Sequence, residues 1–255
     1  MRFLAVLLLA SGVLSASPYL TASQVYINGQ GPYRFLVDTG AQSSAVTERL
    51  ARTLGITPQY RVQQVTSAGS RLAGAAIVDR IAFSHAAVTE AEVLIGGMAA
   101  VSGVDGILGQ SFLSRINYVL DYRSRQLVVE PDASAFVGDF VSFDVLNGRP
   151  AIEAEIGGRR RTVILDSGAP ALVLFGETPL AARFASGFVQ TNTGSAQANL
   201  GPEKVRIVDG RTRLVRAVYL PRPGPDSRAS GLLPPSIFQW VYVDNTERFV
   251  VFSSK

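Results

Sequence analysis

The sequence predicts an all-β protein made of two homologous, β-barrel-like lobes with minor helix. Three observations carry that expectation. One phrase occurs twice, as Phe35-Leu36-Val37-Asp38-Thr39-Gly40-Ala41 and as Val163-Ile164-Leu165-Asp166-Ser167-Gly168-Ala169. Each copy is followed by matching landmarks: Gly106-Ile107-Leu108-Gly109 and Tyr118-Val119-Leu120-Asp121 after the first, Gly231-Leu232-Leu233-Pro234 and Val241-Tyr242-Val243-Asp244 after the second. Asp38 lies 68 residues before Gly106 and Asp166 lies 65 before Gly231, a period near half the chain that signals duplicated lobes and not a solenoid of short repeats. Finally, the intervening chain consists of short apolar runs punctuated by 24 Gly and 13 Pro, the texture of strands and turns.

The elements follow in order. Residues 1–16 read as an export signal: Met1-Arg2 supplies the positive end, Phe3 to Val13 is apolar but short for a bilayer span, and small residues follow at Ser15, Ala16 and Ser17. An uncleaved anchor is the alternative, because Leu14 spoils the cleavage pattern. The expected location is therefore the periplasm or the medium, with no membrane contact beyond the signal segment. The first lobe spans 17–131 and the second 132–255, with the boundary in Pro131 to Gly138, where Pro, Asp, Ala, Ser and Gly interrupt the strand pattern. Each lobe opens with a hairpin: Gln24 to Ile27 turns at Asn28-Gly29 into Tyr33 to Val37. In the second lobe Asp139 to Val145 turns at Asn147-Gly148, and Ala151 to Ile156 turns at Gly157-Gly158 into Thr162 to Leu165. Asn-Gly and Gly-Gly supply the positive φ that tight hairpins demand. Thr47 caps a helix over Glu48 to Leu54 that Gly55 stops, and Thr178 caps a second with Pro179 at its first position, running through Arg183.

Composition excludes several classes. Net charge is +4, carried almost wholly by Arg, with Lys only at Lys204 and Lys255, which points to a GC-rich bacterial genome more than to a polyanion partner. Arg159-Arg160-Arg161 reads as a solvated hairpin, and without aromatic interleaving no nucleic-acid partner is expected. There is no Cys, so no disulfide and no lipid-modified N-terminus. One histidine, His85, and no Cys make a metal site improbable, and no Gly-x-Ser-x-Gly elbow accompanies His85 for Ser-His-Asp chemistry. Gly96-Gly97 and Gly157-Gly158 lack a strand–loop–helix setting for phosphate. Asp121 and Asp244 follow matching strands and are expected to cap turns.

That leaves the duplicated aspartates. A carboxylate at the end of an apolar strand is costly to bury unless its charge or proton is used. Asp38 and Asp166, one per half, are the catalytic candidates, as two carboxylates brought face to face. Such a pair, about 3 Å apart, cannot both ionise cheaply and holds one proton between them. The ionised member can act as base on a water and the protonated one as acid, with no cofactor and no metal. A purely structural role as polar turn residues is the plain alternative.

These residues resemble a known family. Through Val37-Asp38-Thr39-Gly40-Ala41, Leu165-Asp166-Ser167-Gly168-Ala169 and Gly106-Ile107-Leu108-Gly109 the chain looks like a bacterial retropepsin/pepsin-like aspartic peptidase in a single-chain, two-lobed form. The resemblance implies an aspartic endopeptidase acting on an extended polypeptide substrate, with Asp38 and Asp166 as the dyad. It makes Thr39 and Ser167 the hydroxyls that cross-link the two loops, with Gly40 and Gly168 in tight turns beneath the carboxylates. With both halves in one chain, a monomer is expected. Ser67, Ala68 and Gly69, within Thr66 to Ser70, are the candidate flap over the site, Thr191 to Ser195 is a second candidate, and ordinary hairpin turns are the alternative for both. With the first motif strand starting near Gln24, little room is left for an inhibitory prosegment, and activity is expected on folding.

Two departures matter. Ala41 and Ala169 stand where many pepsin-like enzymes carry a hydroxyl; losing that hydrogen bond raises the acid's pKa and predicts mildly acidic, not strongly acidic, activity. In the second lobe Pro234-Pro235 replaces the Gly that follows the apolar pair. Proline removes a donor and fixes φ, so this segment is expected to be distorted beneath Asp166. The alternative function is thus a catalytically degraded peptide- or envelope-polymer-binding protein of the same fold, with an envelope scaffold as a third.

Overall fold

The computed structural model describes residues 2–3, 19–66, 68–96, 103–136, 140–176, 185–191, 194–207, 210–223 and 228–253. In chain order the first half contains β1 (Arg2–Phe3), β2 (Thr21–Ile27), β3 (Gln30–Val37), β4 (Ser44–Val46), α1 (Glu48–Leu54) and β5 (Tyr60–Thr66). It continues with β6 (Gly69–Phe83), β7 (Ala86–Ile95), β8 (Gly106–Leu108), α2 (Gln110–Leu113), β9 (Tyr118–Asp121) and β10 (Gln126–Val129). A 3₁₀ turn at Ala133–Ala135 leads into β11 (Phe140–Ser142), β12 (Asp144–Leu146), β13 (Arg149–Ile156), β14 (Arg159–Leu165) and β15 (Leu172–Phe175). Then come β16 (Ala185–Thr191), β17 (Gly194–Arg206), β18 (Thr212–Leu220), β19 (Gly231–Leu233), a 3₁₀ turn at Pro235–Ile237, β20 (Trp240–Asp244) and β21 (Phe249–Phe252).

The sheets repeat the duplication. In the first lobe β6-β2-β3-β8-β4-β7 closes on itself through the β6–β7 pairing, with β5 outside β6. In the second, β17-β13-β14-β19-β15-β18 closes the same way through β13–β17 and β17–β18, with β16 outside β17. Closure removes the exposed edges that an open sheet would present. In both lobes the motif strand runs parallel to the apolar-pair strand: Phe35, Leu36 and Val37 beside Gly106, Ile107 and Leu108, and Val163, Ile164 and Leu165 beside Gly231, Leu232 and Leu233. Both ends of β3 make sense in sequence terms. Its first half is exposed at the hairpin, and Phe35-Leu36-Val37 is buried on both faces, as a strand covered on each side requires.

A third sheet, β10-β9-β20-β21-β11, draws strands from both halves and forms a shared floor. One apolar cluster runs through both lobes and this floor, from Val25 and Phe35 through Phe112 and Tyr118 to Val163, Val241 and Val250. Asp121 and Asp244 cap turns as expected, each accepting from the backbone N–H groups two and three residues on. The turns at Asn28-Gly29 and Asn147-Gly148 take positive φ, 50° and 78° in the first, 51° and 73° in the second. Helix α1 keeps its expected bounds, with the Thr47 hydroxyl accepting from Leu50 N–H and Gly55 left-handed at its end.

Four expectations are revised or not reached. The run from Asp139 to Val145 is not one strand: Phe140–Ser142 joins the floor and Asp144–Leu146 pairs with β13. The helix expected at Thr178 to Arg183 lies outside the described residues, as does most of the signal segment, of which Arg2–Phe3 pairs in parallel with Gln64 and Val65. The distortion expected from Pro234 is absent. Asp166 N–H donates to Leu233 O at 3.0 Å, matching Asp38 N–H to Leu108 O at 3.0 Å. The pseudo-equivalent contacts explain the tolerance. In the first lobe Gly109 N–H donates to the Ser44 hydroxyl, but by strand register the counterpart of Ser44 is Leu172, so a proline at 234 strands no acceptor. What changes is the segment after it, a 3₁₀ turn in place of the first lobe's α2.

Candidate active site

The two motif strands end side by side at the lobe seam, and their loops interlock. Thr39 N–H donates to Ser167 Oγ at 3.0 Å, and Ser167 N–H donates to Thr39 Oγ1 at 3.0 Å. Each hydroxyl in turn donates across the seam to the carbonyl before the other lobe's aspartate, Thr39 to Leu165 O at 2.7 Å and Ser167 to Val37 O at 2.8 Å. Four buried bonds thus fix one loop against the other, each hydroxyl serving as acceptor and donor at once. Within the first lobe Gln110 steadies the same loop, its side-chain amide donating to Thr39 O at 2.7 Å.

Above this cross-link Asp38 and Asp166 are both fully buried. Asp38 Oδ1 accepts from Gly40 N–H at 2.9 Å and Asp166 Oδ1 from Gly168 N–H at 2.8 Å. The glycines are required by close approach. A Cβ on Gly40 would sit 2.2 Å from Asp166 Cγ, and one on Gly168 would sit 2.6 Å from Asp38 Cγ. Each carboxylate therefore rests on the other lobe's glycine, which brings the two groups together. The Oδ2 atoms have no donor among the described residues, and the two carboxyls can hydrogen-bond to each other once one carries a proton.

Burial raises both members of the pair. Burial pushes Asp38 well above the ordinary carboxylate range, the charge on Asp166 adds to this, and the Gly40 and Ala41 N–H groups oppose it. Burial also raises Asp166, to about 6, against the pull of the Arg149 guanidinium and of the N–H groups of Gly168 and Ala169. Both carboxyls thus sit above their ordinary range, as expected of two buried groups that hold one proton between them.

Sequence reasoning missed three residues around the dyad. Arg149 is only 5% exposed and donates from Nη1 to Gly40 O at 3.4 Å. Tyr19 and Tyr122 face both carboxylates, and their phenols are pushed up by burial and by those charges. An Arg or Tyr at a strand end carries no motif, and only the strand register could have placed these three. The two candidate flap segments are the tips of two hairpins, β5–β6 and β16–β17. The Thr66 and Thr191 hydroxyls lie 3.0 Å apart, so the ends of the two hairpins, one from each half, meet. Ala68 and Gly69 are at the first tip, and Ser67 lies outside the described residues. His85 is exposed on the β6–β7 turn, remote in sequence and sheet position from the motif loops. Among the described residues no cluster of metal-ligating side chains occurs, and no helix is long and apolar enough to cross a membrane.

This architecture is that of the aspartic proteinases. Residues 23–115 match the family model described as gag-polyprotein putative aspartyl protease. Over 93% of this chain and 96% of the other, the fold aligns with the aspartic proteinase from Irpex lacteus, at 12% identity and a TM-score of 0.51. A retropepsin-like aspartic protease from Rickettsia conorii aligns over 38% of this chain and 68% of its own, at 21% identity and a TM-score of 0.29. No curated protein matches. The resemblance to retropepsin/pepsin-like aspartic peptidases that the two motifs carry is thus supported by the family model and by the whole-chain fold.

Proposed function

We propose that the protein is a single-chain aspartic endopeptidase acting on extended polypeptides between its lobes. The observation that carries this is the pair of buried carboxylates, one per lobe, seated on each other's glycines above the Thr39–Ser167 cross-link. With one proton on the pair, the ionised carboxylate takes a proton from water as the water oxygen bonds to the scissile carbonyl carbon. The protonated carboxyl donates to the carbonyl oxygen. Collapse of the tetrahedral intermediate breaks the C–N bond, the amine leaves with a proton, and the dyad ends with one proton, as it began. The Gly40 and Gly168 N–H groups steady the anion throughout.

Both carboxylates are fully buried with the flap tips in contact, so substrate entry requires the Thr66–Thr191 contact to open. Export to the periplasm or medium, resting on the apolar segment after Arg2, and a monomeric state, resting on both motifs lying in one chain, belong to the same reading. The degraded-binding-protein alternative drew its support from Pro234, and the undisturbed register beneath Asp166 takes that support away.

The test compares cleavage of an unfolded protein by the parent and by Asp166→Asn from about pH 4 to pH 8, a window chosen to straddle the titration of Asp166. Products are read by mass spectrometry. Cleavage that disappears in the variant supports the dyad; a folded parent that cleaves nothing, or a variant that cleaves as well as the parent, overturns it.

A further inference from the structure

The two lobes differ in charge at one pseudo-equivalent pair of positions beside the dyad. In the first lobe Thr21 pairs with Leu36, two residues before Asp38; in the second Ala151 pairs with Ile164, two residues before Asp166. Stepping back two residues from each, Tyr19 and Arg149 occupy matching places. Both face the carboxylates, but one is a neutral phenol and the other a guanidinium.

Arg149 is nearly enclosed and donates to the Gly40 carbonyl. Gly40 is the residue whose N–H holds Asp38 and whose Cα bears on the Asp166 carboxylate. The neighbouring turn is docked on the same loop, with the Gln42 side-chain amide donating to Asn147 O. A guanidinium taken out of water needs a counter-charge nearby, since an unpaired buried ion costs several kcal/mol. The anions that act on Arg149 are Asp166, most strongly, and Asp38. The groups that face Asp166 are Asp38, Arg149, Tyr19 and Tyr122, and both phenols stay protonated. One guanidinium and a dyad holding one proton sum to zero charge, the state burial favours.

Taking the aspartic dyad as proposed above, we infer that Arg149 is a positioning residue that breaks the symmetry of the pair: its buried guanidinium keeps the single negative charge on Asp166, the base, and leaves the proton on Asp38, the acid. The carboxylates are otherwise held by matching Gly N–H groups, Thr39 and Ser167 mirror each other, and the strand beneath each has the same register. Arg149 is the cation that tells them apart.

The test follows both carboxyls by ¹³C-aspartate NMR against pH in the parent, Arg149→Gln and Arg149→Lys, alongside the pH profile of peptide cleavage. Loss of the cation is expected to raise the lower of the two dyad titrations, and with it the acid limb of the cleavage profile, by about one pH unit. Arg149→Lys, which keeps the cation, should abolish most of that shift. A titration that does not move in Arg149→Gln, or that moves equally in Arg149→Lys, overturns the inference, because a merely structural role would not follow charge. Should Arg149→Gln fail to fold, Asp38→Asn and Asp166→Asn, which each leave one dyad carboxyl, decide the matter. The remaining Asp166 must titrate below the remaining Asp38, and the reverse order refutes the assignment. A parent that shows the NMR shift yet cleaves nothing would sink the peptidase reading and leave the charge assignment standing.

Discussion

Replacing Thr39 by Val removes a hydroxyl while keeping the shape of the side chain. In the structure that hydroxyl donates to Leu165 O at 2.7 Å and accepts from Ser167 N–H at 3.0 Å, both buried at the seam. The substitution therefore leaves one backbone carbonyl and one backbone N–H without partners. Each costs about 1–3 kcal/mol, and partial rearrangement of the seam brings the total to about 3 kcal/mol. With a urea dependence of about 2–3 kcal/mol per molar, that is a loss of about 1 M in the unfolding midpoint, visible in a single titration. Thr39→Ser is the control, since it keeps both bonds and loses one buried methyl, worth about 1 kcal/mol. Activity should fall further than stability: loosening one loop against the other misplaces Asp38 relative to Asp166, and an error near 1 Å costs about 100-fold in kcat. If Thr39→Val unfolds at the same urea concentration as Thr39→Ser, the cross-link does not hold the lobes and the reasoning fails.

Other predictions follow from the same geometry. Asp38 and Asp166 both have folded-state pKa values above the unfolded 3.8, so the native state binds more protons and stability falls as pH rises from about 4 through 6. The parent's urea midpoint should accordingly fall between about pH 4 and pH 7; a midpoint that stays flat or rises over that range would contradict the raised values. Gly40→Ala drives a methyl into the Asp166 carboxylate and should abolish cleavage and cost about 1–3 kcal/mol, whereas a Cβ at Gly29 meets open space and leaves activity intact. Thr191→Val removes the hydroxyl contact between the two hairpin ends, and hydrogen exchange at the ends of β5 and β16 should quicken by up to about 10-fold. Pro234→Gly should preserve activity but cost about 1–3 kcal/mol, because it adds backbone freedom and buries a new N–H to which the Leu172 side chain offers no acceptor; a urea midpoint equal to or above the parent's would contradict this.

How much of this was legible beforehand depends on how local each signal is. The two-lobe architecture and the pairing of Asp38 with Asp166 follow from duplicated phrases in which strand, turn and carboxylate are contiguous. The Asn-Gly turns and the Thr47 cap are legible because a positive φ or an orphan helix N–H is met by residues next door. Arg149 is different. It stands 109 residues from Gly40, and nothing around it distinguishes it from the exposed arginines at 159 and 160 until the register of β13 on β14 sets it against the other lobe. Pro234 misled for the same reason. Read alone it breaks a pattern, and only its spatial partner Leu172, 62 residues earlier, shows that the lost donor had no acceptor to serve. Thr66 and Thr191 sit in separate polar turns whose sequences do not say that they meet.

The floor sheet also sets a timetable for the molecule. Strand β9 finds its neighbour in β20, and β11 reaches the sheet only through β21, at residues 249–252. A chain still being made has no such neighbours to offer. Its first aspartate is finished 128 residues before the second, and the platform that aligns their lobes comes later still. Whatever the dyad does, a nascent or clipped chain is therefore unable to do it. The same wiring makes assembly slow, because contacts so distant along the chain must be closed before they stabilise anything.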